Sequence, residues 1–246
     1  MKLTLAEPKY LKESIAILSD LVREGRFKVG KDAIELNAMD PANVAMVNFR
    51  LFSSMFIEYD VPEAKEITLN LSDLNTILRR AKPNDTVTLE LDAKNQLRLQ
   101  FRGASTRTFT LPLLALDEHE HKAPSLTFPI TVETASAILS DAIDDADVVA
   151  ESVSFTAEPD KFIVSAEGDQ NKVIIELRGG NGTTVQSKSK ARSKYSVEYL
   201  KKMVPAAKLA DSVQIKFSQD YPLMLDYKVI DKVSLSFILA PRVDND

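Results

Sequence analysis

LSDLNTILRRAKPNDTVTLEL, residues 71–91, is answered 126 positions later by VEYLKKMVPAAKLADSVQIKF, residues 197–217. In the first segment Leu74, Ile77, Leu78 and Ala81 share one helical face; in the second Leu200, Met203, Val204 and Ala207 do. Each residue lies 126 positions after its partner, and the alternating strands that follow align at the same offset, Val87 with Val213. Pro205 falls inside the second pattern, so that helix is expected to kink or to begin late. Helix and strand in the same order, half a chain apart in 246 residues, indicate one architectural unit written twice.

Working outward, PKYLKESIAILSDLVRE puts Leu11, Ile15, Leu18 and Val22 on one stripe. The pentapeptide AILSD occurs at 16–20 and again at 137–141, which sets the counterpart helix 121 residues on, with Val132, Leu139 and Ile143 in its stripe. On that reading the offset drifts from 121 to 126 as loops change length. RFKVGKDAIELNAMD and VSFTAEPDKFIVSAEGD alternate as hairpins do. Residues 117–129, DEHEHKAPSLTFP, are polar with two prolines and read as an extended connector between a domain at 1–116 and a similar one at 130–246. Two helices and many strands in each half make the class α+β, with antiparallel sheets.

The bulk composition is 44% hydrophobic and 27% charged, with no apolar run of membrane-spanning length. MKLTLAEPKYLKES lacks an apolar signal core, so residence in the cytoplasm is expected. The absence of cysteine excludes disulfides, thiolate metal sites and cysteine nucleophiles together. His119 and His121, the two histidines, lie in an acidic loop and read as solvated connector, with no third ligand to make a metal pair. GGNG at 179–182 lacks the Lys-Ser/Thr and the helix of a phosphate loop and reads as a hairpin tip. No catalytic constellation and no cofactor are indicated.

A net charge of −5 disfavours general affinity for polyanions, so any such contact needs a local basic surface. Arg79 and Arg80 occupy the polar side of a helix expected to end at Lys82, and its repeat carries Lys201, Lys202 and Lys208. QSKSKARSKYSVEYLKK, residues 186–202, adds Lys188, Lys190, Arg192 and Lys194 against one acid, Glu198. These read either as a solvated face or as a sequence-independent track for phosphates. By the 121-residue offset, Lys12 and Arg23 correspond to Glu133 and Asp144. Asp141, Asp144, Asp145 and Asp147 make the end of the other helix acidic, against its dipole, so a compensating partner is expected. A divalent metal is one candidate. An intermolecular contact with Arg79, Arg80, Lys82 and Arg107 of another copy is the better one, and such a heterologous contact can close into a ring. Met39, Val44, Met46, Ile238, Leu239, Ala240 and Pro241 are either core or the lining of an apolar groove for an amphipathic peptide.

LNAMDPANVAMV, LSDLNTILRRAKPNDTVTLEL, TRTFTLPLL, KYSVEYLKKMV and FILAPRV together resemble proliferating cell nuclear antigen, the sliding clamp of archaeal and eukaryotic DNA replication, and the archaeal form most. The resemblance runs across essentially the whole chain. It implies a head-to-tail trimeric ring of six similar domains, helices lining the hole and sheets outside, loaded around duplex DNA by a clamp loader. It implies no catalysis, but tethering of DNA polymerase, flap endonuclease and DNA ligase through a short PIP-box motif. On this mapping Lys9, Lys12, Arg79, Arg80, Lys82, Lys201, Lys202 and Lys208 lie on or near the hole. The groove gains Pro222 and Leu223, with Ala123 and Pro124 from the connector. Subunits join by pairing the strand around 104–114, with Arg107, Thr108 and Phe109, to the strand around 171–179, with Val173, Ile175 and Leu177. Sign complementarity adds Arg80 and Lys82 on one side and Asp141 and Asp145 on the other to the expected interface. Ala123 stands where a larger apolar residue is common, and Asn43 where eukaryotic members often carry histidine. The rival readings are one subunit of a heterotrimeric clamp, a checkpoint-type clamp, a β-rich scaffold that never meets DNA, and a metal-dependent nuclease using 141–147.

Overall fold

The computed structural model describes residues 1–92, 94–115, 124–180 and 182–242. The first half runs β1 (Lys2–Leu5), α1 (Lys9–Leu21), β2 (Glu24–Val29), β3 (Ala33–Met39), β4 (Ala45–Phe52), β5 (Glu58–Asp60), β6 (Lys65–Asn70), α2 (Leu71–Leu78), β7 (Thr86–Leu91), β8 (Gln96–Arg102) and β9 (Thr106–Pro112). The second repeats that order: β10 (Ile130–Ala135), α3 (Ser136–Asp147), β11 (Ser152–Glu158), β12 (Lys161–Glu167), β13 (Lys172–Arg178), β14 (Thr184–Gln186), β15 (Ala191–Ser196), α4 (Val197–Met203), β16 (Ser212–Phe217), β17 (Leu223–Val229) and β18 (Val233–Leu239). Each half is itself a β-α-β-β-β unit used twice, with one three-residue strand (β5 or β14) inserted between the copies.

By contacts the chain divides into two compact units, Met1–Pro41 with Val47–Ala123 and Val229–Leu235, and Ala42–Met46 with Pro124–Lys228 and Ser236–Asp246. The first holds the sheet β5-β1-β7-β8-β9 and the run β4-β3-β2-β6. The second holds the run β14-β10-β16-β17-β18 and the sheet β13-β12-β11-β15. The strand pairings between named partners are antiparallel, and the strands alternate buried and exposed, as in β16, where Val213, Ile215 and Phe217 are buried. After its last strand each half returns to cap a sheet edge. Leu114 N donates to Thr68 O at 2.8 Å beside β6, and Arg242 N to Lys194 O at 2.7 Å beside β15.

The duplication holds, but its register in the first helices is not 121. The counterpart of α1 starts at Ser136, and Val132 and Glu133 belong to β10. Buried Leu11, Ser14, Ile15 and Leu18 match buried Leu139, Ala142, Ile143 and Ala146, each 128 residues on. The AILSD match is seven residues out of step, close to two helical turns, and two turns return to the same face. That is why the shared pentapeptide gives the right stripe from the wrong alignment. Lys12 therefore corresponds to Ser140 and Arg23 to Glu151, not to Glu133 and Asp144.

Two helix ends also differ from expectation. α2 closes at Leu78 and not Lys82: Arg80 N and Ala81 N turn back to Ile77 O at 2.9 Å and Leu78 O at 3.0 Å, and Pro83 follows. At its start the Asn70 side chain accepts from Asp73 N at 3.0 Å. Pro205 ends α4 at Met203, and the chain continues as a 3-10 turn, Val204–Lys208. The tighter winding moves the buried position from the expected Ala207 to Ala206.

Within the second unit the buried Asp226 on β17 accepts from Lys216 Nζ at 2.6 Å and Ser236 Oγ at 2.5 Å, with Lys228 Nζ at 3.6 Å. Burial alone would raise this carboxyl. The hydrogen bonds from Lys216 and Ser236 and the charges of Lys216 and Lys228 overcome burial and hold it below its ordinary 3.8. A carboxyl depressed by folding stabilises fully above its unfolded value of about 3.9, and the contribution is lost as pH falls through the lower folded value. Asp226→Asn is therefore expected to cost about 2 kcal/mol at pH 7 by urea titration. The difference from wild type should shrink below about pH 4; an undiminished gap there would remove the charged network from the account.

Candidate nucleic-acid face, edge strands and partner surface

In the first unit α1 packs on α2, the fully buried Ser14 giving a small side chain on the packed face. Asn75 Nδ2 donates to Ser19 Oγ at 2.9 Å across the pair. Lys12 Nζ reaches Ala81 O at 3.5 Å, occupying a carbonyl just past the end of α2. Lys9 is exposed, its ammonium 5.8 Å from the Tyr10 ring. Arg79, Arg80 and Lys82 are exposed, and among the described residues no carboxylate pairs with their side chains. They follow the C-terminus of α2, beginning at its cap residue Arg79, on the side where a helix dipole favours cations.

The second unit repeats this link with different chemistry. Lys201 Nζ meets Asp147 Oδ2 at 2.5 Å between α4 and α3, at the positions equivalent to Asn75 and Ser19. Hydrogen bonding to Asp147 and its charge raise the Lys201 ammonium above its ordinary value. Lys201 thus supplies a compensating charge inside the chain for the acidic end of α3. Lys202 pairs with Glu198 at 2.9 Å one turn back, and Lys208 is exposed. Asp141, Asp144 and Asp145 are exposed, and α3 carries no basic residue. Beside the helices, then, Arg79, Arg80 and Lys82 of the first unit lack carboxylate partners among the described residues, whereas in the second Lys201 and Lys202 are paired and Lys208 is left. Lys188, Lys190, Arg192 and Lys194 leave the helix altogether: the last two lie on β15 and the others on the loop before it.

The seven-residue strands β9 and β13 end their sheets, pairing only with β8 and β12 among the described residues. On β13 Val173, Ile175 and Leu177 are half-buried, while Ile174 on the other face is 55% exposed. On β9 Phe109 is half-buried and tilts against Phe101 at 5.4 Å, and Thr108 points outward. Arg107 is engaged within the unit: its guanidinium pairs with buried Asp85, donates to Arg80 O at 2.9 Å and lies 5.5 Å from the Phe101 ring. Sequence reasoning gave no sign of Asp85, which also accepts from Lys82 N at 2.8 Å and fixes the turn after α2.

The residues expected to line a groove fall into two sets. Met46, Leu223, Ile238 and Leu239 are buried, whereas Met39, Val44, Pro222, Ala240 and Pro241 are partly open and Pro124 is exposed. Within the second unit Ala240 N donates to Val44 O at 2.9 Å, bringing the DPANV and LAPR stretches together. The composition pattern did not single out Phe128 and Tyr221, whose rings meet edge-to-face at 5.8 Å in the same unit. Asn43 adopts φ 58°, a left-handed conformation that Asn tolerates better than most residues. Ala123, His119 and His121 lie outside the described residues. Among the described residues no three acidic or histidine side chains come together as metal ligands, and no helix is long and apolar enough to cross a membrane.

The family model for the N-terminal domain of proliferating cell nuclear antigen matches residues 1–121, and that for the C-terminal domain matches 122–242. The chain belongs to the proliferating cell nuclear antigen (PCNA) family. The DNA polymerase sliding clamp of Nanoarchaeum equitans (strain Kin4-M) is 40% identical over 249 residues, covering 99% of this chain and all of the relative. The crystal structure of PCNA from Thermococcus kodakaraensis superposes with TM-score 0.91 at 30% identity, covering 98% of this chain and 99% of that one. A PCNA2–PCNA3 complex from Sulfolobus tokodaii contains a chain that matches with TM-score 0.90 at 26% identity over 98% of this chain and 99% of its own length. The α+β class with antiparallel sheets and two helices in each half is the DNA-clamp fold of this PCNA family.

Proposed function

We propose that the chain is a DNA sliding clamp: a subunit of a closed ring that encircles duplex DNA, holds the replicative polymerase on its template and serves replication and repair proteins as a docking platform. The observation that carries the assembly is the pair of open edges, β9 and β13, each seven residues long and each presenting half-covered apolar side chains. An edge β9 joined to β13 of a second copy is a heterologous contact, which repeats until the rotation closes. Three copies are the closure expected of the family, with 1–116 and 130–246 as the two clamp domains and 117–129 as their connector. Arg80 and Lys82 of one copy then approach Asp141 and Asp145 of the next.

A ring separates retention, which is topological, from contact, which stays weak and salt-screened. An acidic chain can then slide on DNA without reading its sequence. The protein transforms no substrate and needs no cofactor or metal. Its partners are duplex DNA, further copies of itself, a clamp loader, and polymerase, flap endonuclease and ligase docking through PIP-box motifs. It works in the cytoplasm, at the nucleoid. The part-open Met39, Val44, Pro222, Ala240 and Pro241 are offered as peptide contacts, with buried Leu239 and Met46 beneath as support.

Light scattering behind size exclusion tests the ring: three chains of 27.3 kDa give about 82 kDa from micromolar to nanomolar concentration. A single-chain mass throughout would overturn self-closure and favour a subunit of a mixed ring, the arrangement that a complex of two different clamp chains makes concrete. For DNA, Lys9→Ala with Arg79→Ala, which spares Arg80 and Lys82 at the proposed subunit contact, should leave the trimer intact. They should slow its loading onto nicked circular DNA about tenfold and flatten the salt dependence of that loading, by about 0.9 in log–log slope for each phosphate no longer neutralised. Lys201→Ala with Lys202→Ala should do much less, because Asp147 and Glu198 already hold those cations. Equal effects of the two variants would refute the unequal wall.

A further inference from the structure

The basic stretch before α4 has no part in the reading above, and its position in the fold suggests another use. Outward-facing residues of the sheet β13-β12-β11-β15 line up in rows across the strands: Lys194, Ser154, Ser165 and Ile174 in one, Arg192, Thr156, Ile163 and Glu176 in the next. Three of the four residues in the middle of the rows, Ser154, Ser165 and Thr156, carry hydroxyls and the fourth is Ile163, so the face is a channel of ≈ 770 Å³ with a mostly hydroxyl floor. One wall is cationic, formed by β15 and by Arg242, which docks beside it. The opposite wall carries Ile174, 55% exposed.

Among the described residues the arginines of the cationic wall have only neutral side-chain partners. Arg192 Nη2 donates to Ser154 Oγ at 2.9 Å and Arg242 Nη1 to Ser152 Oγ at 2.6 Å. Arg26, Arg50 and Arg107, by contrast, each meet a carboxylate. At one end the channel is closed by an ion-pair ladder, Lys190–Glu158 at 2.9 Å and Lys161–Glu176 at 3.3 Å. Each guanidinium keeps donors for a further acceptor, and its fork suits a carboxylate held bidentately.

We infer that this face docks an acidic amphipathic helix of a partner protein. From β15 to β13 is three strand spacings, about 14 Å, which a helix about 10–12 Å across fills and a single extended strand does not. Successive cations on one strand face stand about 6.7 Å apart, close to the roughly 6 Å between carboxylates at i and i+4 of a helix. The apolar flank of that helix covers Ile174. A nucleic-acid strand suits the face less well, since no aromatic ring for base stacking is among the lining residues. Glu151, Glu167 and Glu176 also line the channel, so the helix must turn its carboxylates toward Arg192 and Arg242. The site lies within the second unit; β13, which carries Ile174, would offer its edge to β9 of the next copy and its outward face to the helix.

The test uses the full-length chain and a fluorescein-labelled 18-residue synthetic helix with Glu at i, i+4 and i+8 on one flank and Leu and Ile on the other. By fluorescence anisotropy at low salt the helix should bind. Arg192→Gln with Arg242→Gln, which keeps hydrogen bonding and removes charge, should weaken binding at least tenfold, and Ile174→Ser should weaken it separately. Arg79→Ala with Arg80→Ala should leave it unchanged. Circular dichroism establishes that each variant is folded. A helix with Lys in place of Glu should not bind. The proposal is overturned by equal binding to the Gln variant, by no binding up to 1 mM peptide, or by an oligo-dT strand that binds this face and displaces the helix.

Discussion

Reversing Asp141 and Asp145 to lysine together is expected to take the ring apart, leaving at micromolar protein and physiological salt a species of 27.3 kDa. Both carboxylates are exposed on α3, so their reversal disturbs no contact inside the chain. Reversing Asp145 also removes an anion from the last turn of a helix whose dipole disfavours it, so the isolated subunit should hold its stability or gain a few tenths of a kcal/mol. Fold and assembly should therefore move in opposite directions, which a general loss of structure cannot mimic. In the assembly the same lysines would face Arg80 and Lys82 of the neighbour, and like charges set together cost several kcal/mol. Phe109→Asp should give the same mass by another route, placing a charge on the apolar side of β9. An unchanged trimer in both variants would rule out the β9–β13 contact.

Asp85→Ala should be among the most damaging changes to a polar residue of the first unit, at about 3 kcal/mol by urea unfolding. Its carboxylate accepts from Lys82 N and pairs with Arg107, so it ties the turn after α2 to β9. Removing it leaves the guanidinium, 26% exposed, without its anion and the turn without its acceptor. The same carboxylate explains Gly103. A Cβ there would lie 2.2 Å from Asp85 Oδ1, so Gly103→Ala should reproduce much of the loss by displacing the group. Arg107→Ala strands a buried anion, and a double-mutant cycle with Asp85→Ala should show coupling of at least 1 kcal/mol. Additive effects would mean that the pair is formed but contributes nothing to stability. Because Arg107 sits on an edge proposed to meet a second subunit, the Asp85 variant should also weaken the trimer.

The duplicated order of helices and strands was legible because burial leaves a period in sequence: Leu71, Leu74 and Leu78 against Val197, Leu200 and Val204 need no tertiary knowledge. The register of α1 and α3 was not legible, since a shift of two turns preserves the face and only β10 and the start at Ser136 reveal it. Charge was the least legible property. Lys201 and Lys202 look the same as Arg79 and Arg80 when cations are read off the sequence, yet one pair is matched by nearby acids and the other is not. Arg107 likewise looked like a free edge charge, because its partner Asp85 is distant in sequence and buried. Lys190 to Lys194 were read with the helix they precede, and only the strand pairing with β11 places Arg192 and Lys194 on a sheet face. Among the apolar residues near the C-terminus, composition could not separate buried Leu239 from part-open Ala240, one residue away.

The link between the helices of each half, amide to hydroxyl in one and ammonium to carboxylate in the other, gives the two halves different sensitivities. Raising ionic strength should leave Asn75–Ser19 untouched and loosen Lys201–Asp147, so amide hydrogen exchange in α3 and α4 should quicken with salt while that in α1 and α2 stays level. Two halves of one design thus brace the same joint at the same place, one indifferent to the surrounding electrolyte and the other responsive to it.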